Sequence, residues 1–155
     1  MPALHTPALT WKLGGIGWAH FTWTSGGESV HIRTSYIGDA LKNLLAATVD
    51  LQLGSSATFT HFLDEPSGHR MFFSGVADNA MYVQIVEFDD LYSEDNRWAG
   101  GVPRWHGRVS VPHFIDAVRA MAEAVLEKHG EEGYLKSWVH APFPSRELAL
   151  LQRNP

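Results

Sequence analysis

From Ile16 onward the chain alternates. Ile16, Trp18, His20 and Thr22 project to one side of an extended backbone, and Gly17, Ala19, Phe21 and Trp23 to the other. A turn cluster, Thr24-Ser25-Gly26-Gly27, follows, and then Val30, Ile32 and Thr34 alternate with His31, Arg33 and Ser35. Two β-rich runs around Gly-Gly predict a hairpin. With Gly26 and Gly27 in the turn, Phe21 faces Ile32 and Trp23 faces Val30. That register gives an aromatic and β-branched face to bury, and leaves His20, Thr22, His31 and Arg33 on the other face.

The period then changes. Over 39–53, Leu41, Leu44, Leu45, Val49 and Leu53 follow helical spacing, Asp39 stands in the first turn where a negative charge suits the helix dipole, and Gly54 ends the element. Strand-like runs follow at 57–63, 69–75 and 81–88, separated by the turn compositions Asp64-Glu65-Pro66-Ser67-Gly68 and Asp78-Asn79. No period holds over 89–107, which reads as a long loop, and 108–111 reads as a short strand. A helix begins near Pro112 with the stripe Phe114, Val118, Met121 and Val125, and ends at Gly130. After a tail holding Tyr134, Leu135, Trp138 and Val139, a last helix is predicted over 145–151. Residues 1–11 carry two prolines and read as an arm.

The predicted order is ββαβββ(β)αα. It implies an α+β fold: a single antiparallel sheet of five or six strands with two main helices on one face, in one domain (1–155, with 1–11 as the arm and 12–151 as the core). The 155-residue length is enough for a core that needs no staples.

Composition narrows the chemistry. There is no cysteine, which removes disulfides, thiolate nucleophiles and cysteine-bound metals. The net charge of −5 and isoelectric point of about 5.9 argue against nucleic acid as a partner. The absence of a long apolar run or a cationic, apolar leader points to the cytoplasm and away from membranes. Gly15-Ile16-Gly17 has His20 where a dinucleotide fingerprint needs a small residue, and it opens a hairpin strand; no phosphate-binding loop, zinc-protease helix or nucleophile elbow occurs either. No cofactor is expected.

The densest chemistry lies in 87–106. Glu87, Asp89, Asp90, Glu94 and Asp95 are followed by Arg97, Trp98, Arg104 and Trp105, with Tyr92 among them. Trp, Tyr and Arg are the types that dominate binding hot spots, and acids steer basic partners. Glu87, Asp89, Asp90, Tyr92, Glu94, Asp95, Trp98, Arg104 and Trp105 are therefore the candidate partner-binding residues; in the alternative, the tryptophans fold back onto the core. A second reading uses the nine histidines: His20, His31 and His61, with Arg33, would line a sheet face able to hold a metal or small ligand. His113 and Asp116 stand three apart on a helix, as a base and its orienting acid would, or simply as an ordinary helix start. A third reading makes Trp18, on the face opposite Phe21, the centre of a two-fold homodimer interface.

The ordered patterns Asp39-Ala40-Leu41…Leu44-Leu45, Asp64-Glu65-Pro66, Gly130-Glu131-Glu132-Gly133-Tyr134…Trp138 and Phe143-Pro144…Leu148 resemble a family of small bacterial proteins without a defined activity, over most of residues 15–150. In size, acidity and α+β order the chain is also loosely similar to immunity proteins of bacterial toxin systems, which cap a toxin's active site. That resemblance implies a non-catalytic protein that occludes a basic protein partner, and no catalytic residues.

Overall fold

The computed structural model describes residues 4–91 and 100–153. Its elements are β1 (Ala8–Leu13), β2 (Trp18–Ser25), β3 (Glu28–Ser35), α1 (Ala40–Gln52), β4 (Thr58–Leu63), β5 (Gly68–Ala77), β6 (Ala80–Phe88), β7 (Val102–Ser110), α2 (Val111–Trp138) and α3 (Ser145–Gln152). The hairpin register is the one the alternation dictates, Phe21 opposite Ile32 and Trp23 opposite Val30. Gly26 and Gly27 turn it with φ of 59° and 83°, the left-handed pair that matches strand twist in a two-residue hairpin. Asp78 and Asn79 do the same between β5 and β6, at φ of 52° and 63°; short polar side chains tolerate that region best after glycine.

The α+β class holds, but the expected single sheet does not. The strands form two antiparallel sheets, β1-β2-β3 and β4-β5-β6-β7. After β3 the chain passes through α1, and β4 pairs with β5 alone instead of returning to the edge of β3. Side chains, not a backbone ladder, close the seam. Thr34 Oγ1 donates to the Leu63 carbonyl at 2.9 Å, Ser35 Oγ donates to Glu65 at 3.0 Å, and Arg33 grips both carboxylate oxygens of Asp64 at 3.2 and 3.4 Å.

One strand falls where none was expected and another is much longer than the short strand expected over 108–111. β1 lies partly in the stretch read as an arm; only Trp11 of its six residues is buried, so its period is faint. Most of β7 lies in the stretch read as a loop. Its inward positions are Trp105, Gly107 and Val109, and the middle one shows no apolar side chain to the eye. A Cβ at Gly107 would stand 2.9 Å from the Trp105 ring and 3.0 Å from His5. A bulge at Ile85/Val86 breaks the alternation further.

The inner faces of the two sheets meet. Phe21 stacks on Phe62 at 5.2 Å and Trp23 lies 5.0 Å from Trp105. Phe114 of α2 closes the contact against Trp23 and Phe73. Trp23 and Trp138, expected in the core, are both fully buried. Helix α2 starts on Ser110, whose Oγ accepts from the His113 amide, and it breaks at Gly130 (φ 68°, ψ 171°), where the leading helix was expected to end. It then resumes as a shorter helix that carries Tyr134 and Trp138 inward. Among the described residues no helix is long and apolar enough to cross a membrane.

Candidate functional site

The acidic, aromatic stretch is only partly a rim. Tyr92, Glu94, Asp95 and Trp98 lie outside the described residues. Asp89 is exposed and Asp90 half-buried. Glu87 does not face a partner unopposed: Arg104, the extra residue of the β7 bulge, holds its Oε1 at 2.6 and 2.7 Å. Trp105 is 4% exposed, packed between His5 and Trp23, so its indole belongs to the core. Of the two alternatives for this tryptophan, inward folding is the one observed.

The histidines do not converge. His20 and His31 stand on the outer face of the three-stranded sheet, opposite Arg33 and Thr22, whereas His61 belongs to the other sheet, opposite Arg70. No group of three His, Asp or Glu side chains able to hold a metal occurs among the described residues. His113 donates to or accepts nothing from Asp116; its Nε2 meets the Pro7 carbonyl at 3.0 Å and Asp116 pairs with Arg119. Trp18, the centre of the two-fold reading, is half-buried with the Arg33 guanidinium over its ring, 4.7 Å from the ring centre. His69, in β5 on the inner side, has its pKa lowered chiefly by burial; Glu87 opposes this from 4.0 Å.

The four-stranded sheet presents an outer face that sequence reasoning did not single out. Its registers align Phe59, Phe72, Gln84 and His106 in one row across all four strands, with Ser74, Tyr82 and Arg108 in the next. Phe59 is 45% exposed and stacks on Phe72 at 6.2 Å; Tyr82 meets His106 edge-on at 6.0 Å. Gln84, His106 and Arg108 are exposed. Among the described residues no carboxylate projects from this face; the one acid of its strands, Glu87, sits on the inner side beside His69. Four strands about 4.8 Å apart and two rows of side chains make a platform of about 200 Å2. The alternation of Tyr82 and Gln84 with Met81 and Val83 marks these as outward positions; what the sequence does not reveal is that, among the described residues, no helix covers them.

The charge distribution is the wider finding. The chain carries 17 acids against 12 lysines and arginines, yet its strands hold five cations (Lys12, Arg33, Arg70, Arg104, Arg108) and only two carboxylates (Glu28, Glu87). The acids are gathered on helices and loops. One open cleft of about 440 Å3 lies between the starts of α1 and α3, lined by Asp39, Lys42, Glu131 and residues 141–147. Its walls mix both signs, and burial raises the pKa of Asp39.

No protein-family model, curated protein or solved structure matches this chain.

Proposed function

We propose that the chain is a non-catalytic protein-binding module that docks through the outer face of its four-stranded sheet. The observation that carries the reading is an aromatic platform from which no carboxylate projects among the described residues, in a chain of net charge −5. A half-exposed Phe59 beside Phe72, with Tyr82 and Arg108 in the adjacent row, supplies the residue types that anchor protein interfaces. A patch without carboxylates among the described residues favours a partner whose contact surface is acidic, through electrostatic complementarity. This reverses the sign expected of the partner from the acidic stretch alone.

Base-stacking sheets use similar aromatics. Here, among the described residues, the platform offers one exposed arginine, Arg108, beside the buried Arg70, and the whole chain is negative, which is a poor track for a phosphate backbone. Occlusion of a partner's working surface, as immunity proteins do, fits such a face. A platform of about 200 Å2 falls short of the roughly 800 Å2 per side of a standard interface, so neighbouring surface must contribute.

The test is affinity capture with quantitative mass spectrometry on the wild type, a Tyr82→Ala/Arg108→Glu variant, and an Asp89→Ala/Asp90→Ala variant. A partner retained by the acid variant and lost with the sheet variant supports the platform. Retention by the sheet variant with loss from the acid variant returns the site to the acidic stretch. Single-stranded RNA bound in preference to protein overturns the reading altogether.

A further inference from the structure

The outer face of the three-stranded sheet is built on a different plan. Its registers give three cross-strand rows: Ala8–Thr24–Ser29, Thr10–Thr22–His31 and Lys12–His20–Arg33. The first two are joined by their own hydroxyls and imidazole. Thr24 Oγ1 meets Ser29 Oγ at 3.2 Å, and Thr22 Oγ1 meets His31 Nδ1 at 3.3 Å. The third row is not satisfied in this way. Lys12 and His20 are exposed and make no hydrogen bond or ion pair among the described residues. Like charges set directly opposite each other in a sheet are destabilising, and here an imidazole is placed between an ammonium and a guanidinium.

The row is also held in position. Arg33 is fixed from two sides, by Asp64 through Nε and Nη2 and by the Trp18 ring, which leaves Nη1 directed away from that pairing on a side chain 55% exposed. The His20 ring lies over Gly14, where a Cβ would approach it to 3.1 Å. The three groups span two strand spacings, about 10 Å. Lys12 and His20 have no internal acceptor among the described residues, and Arg33 keeps Nη1 outside its pairing with Asp64; the carboxylates that reach this face among the described residues are Asp64, held by Arg33, and Glu65, held by Ser35 Oγ.

We infer that the Lys12–His20–Arg33 row is a second docking site, and that it takes an acidic polypeptide segment whose carboxylates accept from Lys12 Nζ, the His20 ring and Arg33 Nη1. Complementarity of charge selects carboxylates. A nucleic-acid strand is disfavoured because stacking needs a free ring, and the one indole of this face is already occupied by Arg33. The inference extends the protein-binding reading to another face, and the two fail separately because their variants lie on different sheets.

The test titrates the full-length protein with octaglutamate and with octaglutamine as the neutral control, following His20 and Arg33 side-chain resonances by NMR. Octaglutamate is expected to shift both and octaglutamine neither. A Lys12→Gln/His20→Gln variant should bind octaglutamate about tenfold more weakly or worse, about 1.4 kcal/mol, with Lys12→Arg close to wild type. Arg108→Glu, on the other sheet, should leave this binding unchanged. Three outcomes overturn the inference: no shift at millimolar octaglutamate, equal binding by the Lys12/His20 variant, or the same shifts from inorganic phosphate at matched charge, which would mark a site for any small oxyanion. Octaglutamate binding lost only in Arg108→Glu would instead place acidic recognition on the four-stranded sheet alone.

Discussion

The two sheets share one interior and differ outside. Inward, each sheet is built mainly on large apolar side chains at alternate positions, with Thr34, His69 and Gly107 among the exceptions, and the two sets interlock as Phe21 on Phe62 and Trp23 on Trp105. Outward, the four-stranded sheet shows rings (Phe59, Phe72, Tyr82) and the three-stranded sheet shows hydroxyls and cations (Thr10, Thr22, Thr24, Lys12, Arg33). Period-two alternation produces both surfaces, so it does not distinguish them. The difference lies in which outward residues the chain places on each sheet, and in the helices and loops that hold most of its acids instead.

The strongest way to break the comparison is through what the sheets share. Trp23→Ala empties a site that touches β7 and α2 as well as its own strand. The expected cost is about 3–5 kcal/mol in chemical denaturation. Unfolding should remain a single transition, because the cavity weakens both sheets together. Two separate transitions would show two independent cores and would undo the description of a shared interior.

The seam comes next. Asp64→Ala removes the clamp on Arg33 and a bond from the Glu65 amide at 2.9 Å. Arg33 is more than half exposed, so solvent screening limits the loss to about 1 kcal/mol. The informative readout is positional. Arg33 should lose its order over Trp18, and octaglutamate affinity at the three-stranded face should fall while binding at the four-stranded face holds.

How much of this was legible in the sequence follows from the same contrast. The β2–β3 register could be read residue by residue, because a Gly-Gly turn fixes where two alternating runs meet. The break at Gly130 and the α1 stripe through Leu41, Leu44 and Leu45 are equally plain, although Leu53, expected on that stripe, lies past the helix and is exposed. Division into two sheets was not, since a helix between β3 and β4 is compatible with either topology and the seam is made by Thr34, Ser35 and Arg33 side chains that read as ordinary polar positions. β7 was hidden by Pro103, by a bulge and by Gly107, features that protect an edge strand while erasing its period. For the candidate site, residue type selects Trp105; burial is decided by the strand it stands on, and the sequence pattern shows only the end of that strand. Phe59, Tyr82 and Arg108 are individually unremarkable and become a surface only once four strands are in register.

A smaller effect should appear at the end of the three-stranded sheet. There the tail of α2 is tied to the connection between β1 and β2, with the Gly17 amide donating to the Ser137 carbonyl at 2.8 Å and Ser137 Oγ to the Gly15 carbonyl at 2.9 Å. Just beyond, the His140 amide donates to the Trp138 carbonyl at 2.9 Å across Val139 at φ 73° and ψ −45°. This is the strained form of a three-residue turn, and a β-branched residue suits it poorly. Val139 is 54% exposed, so Val139→Gly removes little packing. It should raise stability by about 1 kcal/mol, the relief of left-handed strain less the added freedom of glycine in the unfolded chain. A loss of stability would mean that the valine side chain contributes more than its exposure implies.

The four-stranded sheet offers the matching probe, and the smallest effect, in His69. Burial lowers its pKa from the ordinary 6.5, with Arg104 acting in the same direction and Glu87 and Asp64 against it. The unfolded chain therefore binds a proton here at a pH where the folded chain does not. Stability should fall as pH drops below about 6.5 and level off once the folded imidazole is protonated as well. His69→Gln keeps a polar side chain opposite Glu87 and removes the titration. The difference in unfolding free energy between wild type and variant, measured from pH 8 to pH 5, should move against the wild type on acidification. Were that difference flat, or reversed, Glu87 and Asp64 would outweigh burial, and the inner end of this sheet would be an ion-pair site poised to take a proton, not the dry floor beneath an aromatic platform.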